Sequence, residues 1–192
     1  MARPRSPDKH EAILAAAARA LAEDGATATT ARIARLAGVA EGTVFTYFET
    51  KDALLNALYV SLKADLRAAM MTGYPEGAPV EQALRHAWNG YVLWGVANPD
   101  GRRALQQLGV SGRIDDAHRA AGAEGFGGIN ALLREQVAVS GALNPDEAHT
   151  FCAALFTSIA ETAIESVARD PARADAYREA GFRALWAVLH AV

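Results

Sequence analysis

Thr29 to Leu55 reads TTARIARLAGVAEGTVFTYFETKDALL and holds two short apolar-striped segments separated by Gly38-Val39-Ala40. Thr29 or Thr30 can cap a helix that carries Ile33, Ala34 and Ala37 on one face. Gly38 can take the left-handed conformation that reverses the chain, and a second short helix runs from Glu41 to about Tyr47. Ala34 is small where the two helices cross, and Val39 and Val44 complete the apolar contact. This is helix-turn-helix spacing. Its physical use is to push the second helix into a DNA major groove, with N-terminal residues at base edges.

On either side the chain reads as helix throughout. Alanine dominates, β-branched alternation is absent, and Pro and Gly fall between periodic stretches. Ser6-Pro7 opens a first helix striped by Ile13, Ala16, Ala17, Ala20 and Leu21, and Gly25 stops it. Thr50 caps a fourth helix with Leu54, Leu55, Leu58, Leu62 and Leu66 on one face. The Gly- and Pro-rich residues 72–79 form a linker. A fifth helix carries Val80 to Gly95, and Asn98-Pro99-Asp100 caps a sixth that ends at Gly109. A seventh runs from about Asp115 to Val139 and contains Gly122, Gly125, Gly127 and Gly128, which mark a break, a close crossing or space for a ligand. Asn144-Pro145-Asp146-Glu147 has the order of a capping box and opens an eighth helix. A ninth follows Asp170-Pro171 and runs to His190. The expectation is an all-α chain of about nine helices. Residues 1–50 form a three-helix domain that carries the helix-turn-helix, and residues 51–192 a larger helical domain.

Composition sets the outer limits. The chain has 192 residues, 51% hydrophobic and 21% charged, which is ordinary globular chemistry. Cys152 is its one cysteine, which excludes an intrachain disulfide. Uninterrupted apolar runs are short, and one of the longest, Tyr91 to Ala97, is far below the ~18 residues of a membrane span. No apolar stretch follows the basic residues of MARPRSPDKH, so no signal peptide is expected and a cytoplasmic protein is. The net charge of −3 is uneven: residues 1–51 hold seven basic and six acidic side chains, the remainder 12 and 16. Any phosphate contact therefore belongs at the front.

The segment Lys9 to Leu55 resembles the DNA-binding domain of the tetracycline-repressor (TetR) family of bacterial transcription regulators. The resemblance rests on Ile13-Leu14, Ala17, Leu21, Gly25, Thr29, Ile33-Ala34, Ala37-Gly38-Val39, Gly42-Thr43, Tyr47-Phe48, Lys51 and Leu54. It covers about a quarter of the chain. It implies a homodimer built on the last two helices, a ligand cavity in the larger domain, and a regulator of transcription. There are two departures. Ala40 stands where a capping serine is common, a loss of ~1 kcal/mol. Phe45 stands where a tyrosine is usual, and a phenyl ring cannot hydrogen-bond a phosphate.

Carried onto this chain, the resemblance implies DNA contacts from Arg32, Thr43, Thr46, Tyr47 and Lys51. Thr43 is placed for a base edge or a thymine methyl, and Lys51 for a phosphate. Arg35 faces outward, Arg3 and Arg5 form an arm, and Phe48 reads as core. For the larger domain the implied ligand is an apolar or aromatic small molecule. The candidate pocket is Trp88, Tyr91, Trp94, Phe126, Asn130, Phe151 and Phe156, with Gln107, Thr157 and Glu161 as further polar anchors. For isolated aromatic residues the simpler reading is a packed core. The candidate dimer face is Phe151, Leu155, Ile159, Tyr177, Phe182, Leu185, Trp186 and Leu189, because the last helix is apolar over half its circumference. His149 and Cys152 lie three residues apart, but no further ligands at matching spacing make a metal site, and no cofactor is expected. No nucleophile and base pair is visible, so the chain does not read as an enzyme. The competing reading is an all-helical small-molecule carrier, or an enzyme that does not bind DNA.

Overall fold

The computed structural model describes residues 6–137 and 144–191, which are helical with short connections. They form two compact units: one comprises residues up to Asp65 with Asn98–Ala123, the other Leu66–Ala97 with Glu124 onward.

The first unit is built on α1 (Pro7–Asp24), whose Ile13, Ala17, Ala20 and Leu21 are buried. Pro7 sits in the first turn, where its missing N–H is no loss, and Gly25 ends the helix with a Leu21 carbonyl contact. α1 packs against α2 (Thr30–Leu36) and α6 (Pro99–Val110), and α2 against α3 (Glu41–Tyr47). Burial of Ile33, Val44, Leu54 and Leu58 contributes roughly 1.5–3 kcal/mol each. Thr50 Oγ1 accepts from the Ala53 amide at 3.0 Å and opens α4 (Lys51–Met71). Asn98 precedes α6 without a side-chain cap, so Pro99 alone marks that start. The loop after α6 is tied to α4 twice. Buried Asn56 accepts from the Asp115 amide at 3.2 Å, and Arg113 pairs with Asp52 at 2.9 Å.

The expected long seventh helix is two helices, α7 (Asp116–Ala123) and α8 (Gly127–Val137), which brings the described residues to ten α-helices. Gly125 has φ +79°, a conformation that breaks the helix, and Arg67 Nη1 donates to the Glu124 carbonyl at 2.7 Å. Gly122 serves close packing: a Cβ there would lie 2.5 Å from the Tyr59 ring. Gly127 and Gly128 face open space.

In the second unit, α5 (Val80–Ala97), α8 and α10 (Ala174–Ala191) all pack on α9 (Pro145–Arg169). Asn144 accepts from the amides of Asp146 and Glu147, while Glu147 accepts from the Asn144 amide, so the capping box is present. Within α9, Thr150, Thr157, Ser158, Thr162 and Ser166 each donate to the carbonyl four residues earlier. Trp88, Phe156, Ile164, Phe182, Leu185 and Leu189 fill the core. Thr150–Arg169 is long and apolar enough to cross a membrane, with mean hydropathy 1.3. Its apolarity matches its place as the helix on which this unit is assembled.

Candidate nucleic-acid interface

The helix-turn-helix is held by local bonds. Thr29 accepts from the Arg32 amide at 3.2 Å and caps α2. At the other end, Gly38 has φ +67°; its amide reaches Arg35 O at 3.2 Å and the Val39 amide reaches Ala34 O at 3.0 Å. These two bonds form a Schellman turn, and they set the angle at which α3 leaves. α3 starts at Ala40 with no side-chain cap, as the sequence implies. Val44 and Phe48 are buried beneath it, while Glu41, Gly42, Phe45 and Thr46 are exposed.

The residues expected to meet DNA lie on or beside this exposed helix, but several already have internal partners. Thr43 is half-buried. Thr46 is exposed, and its hydroxyl donates to the Gly42 carbonyl at 3.1 Å. Tyr47 is half-buried, and its hydroxyl accepts from the Ser6 amide at 2.8 Å, joining α3 to the start of α1. His10 lies against Phe48, with ring centroids 5.0 Å apart. Arg32 is half-buried and pairs with Glu23 and Asp24 at the end of α1. Hydrogen bonding by Arg19, with the charges of Arg19 and Arg32, holds the Glu23 carboxyl below its usual range. Arg35 is exposed, and Arg3 and Arg5 lie outside the described residues. Lys51 is half-buried and donates to the Ala28 carbonyl just ahead of α2. Burial lowers the pKa of its ammonium, with the Arg113 charge adding to the effect and Asp52 opposing it. The Ser6–Tyr47 and Lys51–Ala28 ties leave no mark in the sequence, since both partners are backbone groups far along the chain.

The second unit holds the other candidates. Trp88 is fully buried, donates to the Arg178 carbonyl at 3.0 Å and meets the Phe156 ring edge-on at 5.6 Å. Tyr91 meets Phe156 at 5.2 Å. These three rings form one packed cluster. Trp94 is 8% exposed, Phe126 and Asn130 are half-buried, and Phe151 is 49% exposed. Thr157 is exposed and Glu161 half-buried on α9, whereas Gln107 belongs to the first unit. Of the candidate dimer face, Phe182, Leu185 and Leu189 are each 1% exposed within the chain's own core. Leu155, Ile159, Tyr177 and Trp186 are half-buried, with Trp186 stacked on Phe182 at 6.1 Å.

No group of three or more potential metal ligands occurs among the described residues; the side chain of His149 lies outside them. Cys152 is fully buried, and burial pushes its thiol pKa up. Alkylation of the native protein at neutral pH should therefore run more than about tenfold slower than in denaturant. Equal rates, read by mass spectrometry, would contradict this burial.

Residues 13–58 match the family of bacterial regulatory proteins named tetR. Among solved structures, a Shewanella sp. PV-4 protein assigned to the tetR family of transcription regulators superposes with TM-score 0.75 at 26% identity, over 96% of this chain and 98% of that one. LfrR, a TetR-like transcriptional regulator from Mycobacterium smegmatis solved in complex with proflavine, gives 0.67 at 26% identity, over 93% and 95%. A TetR family regulator from Marinobacter aquaeolei VT8 shares the fold at 0.75 and 20% identity, over 93% and 94%. Residues 13–58 thus carry the helix-turn-helix of the tetR family of bacterial regulatory proteins, and the chain shares along nearly its whole length the fold of transcription regulators of that family.

Proposed function

We propose that this DNA-binding regulator is a repressor that holds a pseudo-palindromic operator as a homodimer and is released by an apolar or aromatic small molecule. The observation that carries the DNA half is the exposed face of α3, set at a fixed angle by the Schellman turn of α2. In this reading the domain of residues 1–50 binds DNA through Arg32, Thr43, Thr46 and Tyr47, joined by Lys51 at the start of α4, and the domain of residues 51–192 binds the effector and the second copy. The effector half is supported by LfrR, a relative solved with proflavine. It is also supported by the half-buried Tyr91 of the aromatic cluster and by the half-buried Phe126 and Asn130 of the same unit. The dimer surface would use the exposed Phe151 with Leu155, Ile159, Tyr177 and Trp186, backed by Phe182, Leu185 and Leu189. A two-fold arrangement of this kind is isologous and buries the same patch on both copies.

Selection of bound sequences from random duplex DNA tests the reading. The full-length protein should enrich a pseudo-palindrome with half-sites about one helical turn, ~10 bp, or somewhat more apart. Its mass in solution should be twice the 20.3 kDa chain, and a monomer at micromolar concentration would remove the dimer. Hydrophobic compounds that raise the melting temperature should weaken DNA binding by about 5–150-fold. Compounds that stabilise the protein and leave DNA affinity unchanged would show binding without release.

A further inference from the structure

Lys51 stands at a junction of three elements inside the first unit. Its ammonium donates to the Ala28 carbonyl, and both residues line a cavity between the end of α1, the start of α4 and the end of α6. The open space is about 300 Å³ including its mouth. Much of the lining is aliphatic, from the buried Leu21, Leu55 and Leu108. Arg113 lines the same cavity, held by Asp52 at 2.9 Å, and its charge is close enough to disfavour a second cation at Lys51. A half-buried amine beside an apolar wall and another cation is the environment in which a lysine becomes a nucleophile.

We propose that Lys51 is an acylation site, at which an acyl phosphate transfers a short acyl group to Nζ and the cavity receives its carbon chain. The neutral amine attacks the carbonyl carbon and an amide N–C bond forms. The C–O bond to phosphate breaks, inorganic phosphate leaves with that electron pair, and the surplus proton of the amine passes to water. Arg113 supplies positive charge on the cavity wall for the tetrahedral oxyanion. The amide keeps one N–H, enough to go on donating to the Ala28 carbonyl, so the local fold survives while the charge is lost. What disappears is the cation that the DNA-binding reading above assigns to a phosphate, and the consequence for DNA rests on that reading.

The test incubates the full-length protein with acetyl phosphate and follows its three lysines, Lys9, Lys51 and Lys63, by peptide mass spectrometry. Lys51 should be acetylated about fivefold faster than the exposed Lys9, although it is the less accessible, and the excess should vanish in denaturant. Lys63 separates burial from the cavity. Its ammonium lies over the Tyr59 ring at 5.9 Å and burial lowers its pKa too, but it does not line the cavity and should lag Lys51. Ala26→Leu adds bulk to the cavity lining from the exposed turn after α1, and should bring Lys51 down to the rate of an unchanged Lys9. Protein acetylated at Lys51 should lose DNA affinity and about 0.9 of the salt slope, as Lys51→Gln does. The proposal is overturned if Lys51 reacts no faster than Lys9 or Lys63 in the native protein, or if its advantage survives undiminished in Ala26→Leu. Preferential acetylation with unchanged DNA binding upholds the site and removes Lys51 from the DNA-binding reading.

Discussion

Gly90→Ala should lower the melting temperature by several degrees, although alanine is the better helix former. In an exposed helix interior the change would gain ~1 kcal/mol. Here a Cβ would lie 2.4 Å from the Ala69 carbonyl oxygen and 2.7 Å from the Met70 Cα. Both are backbone atoms of α4, so no side chain can swing aside and the end of that helix must move. Overpacking of this kind costs about 1–3 kcal/mol and more where backbone must shift, so a net loss of roughly 2 kcal/mol is expected. For a chain of this size that corresponds to a fall of ~4–8 °C. Gly109→Ala in α6 is the control, because a Cβ there meets nothing within 4 Å. It should leave the melting temperature unchanged or raise it slightly. Thermal denaturation of both variants decides the matter; equal behaviour would mean that the α4–α5 approach is looser than described.

Lys51→Ala should weaken binding to every DNA sequence by roughly 10–100-fold, the worth of a hydrogen bond to a charged donor that positions the interface. The ammonium holds the Ala28 carbonyl, and so fixes the chain just before α2. An ammonium has three donors, so a phosphate can be held as well. Removing it should then reduce the slope of log affinity against log salt by about 0.9. A loss of affinity at constant slope would restrict Lys51 to anchoring, and undiminished affinity would remove it from the interface. Thr43→Ala should instead shift sequence preference, with little change in salt dependence.

Helix ends were the most legible part of the fold, because each is governed by nearby residues. Gly25, Gly38, Thr50 and the Asn144–Glu147 box lie where the sequence places them. The break between α7 and α8 was one of three readings that the four glycines allowed; it falls at Gly125, where φ is +79° and Arg67 donates to the preceding Glu124 carbonyl from 57 residues away. Four glycines within seven residues looked alike in sequence, yet one bends the backbone, one admits a tyrosine ring and two face open space. The helix-turn-helix was legible in its location, and the internal partners of its polar side chains were not. Arg32 and Tyr47 have the residue types of DNA contacts, but their partners, Asp24 at the end of α1 and Ser6 just before its start, are fixed by tertiary packing. Periodicity marked Phe182, Leu185 and Leu189 as apolar without telling which side of α10 the protomer itself covers.

The five back-bonded hydroxyls of α9 change what its surface is worth to a partner. Thr157, Ser158 and Thr162 are exposed, yet each already spends its proton on its own helix. A second copy seated there would strip loosely held water from the lone pairs without leaving a donor stranded, so the face behaves thermodynamically as though it were more hydrocarbon than its composition suggests. Association through it should therefore carry a distinctly negative heat-capacity change, with an enthalpy that becomes more favourable on warming.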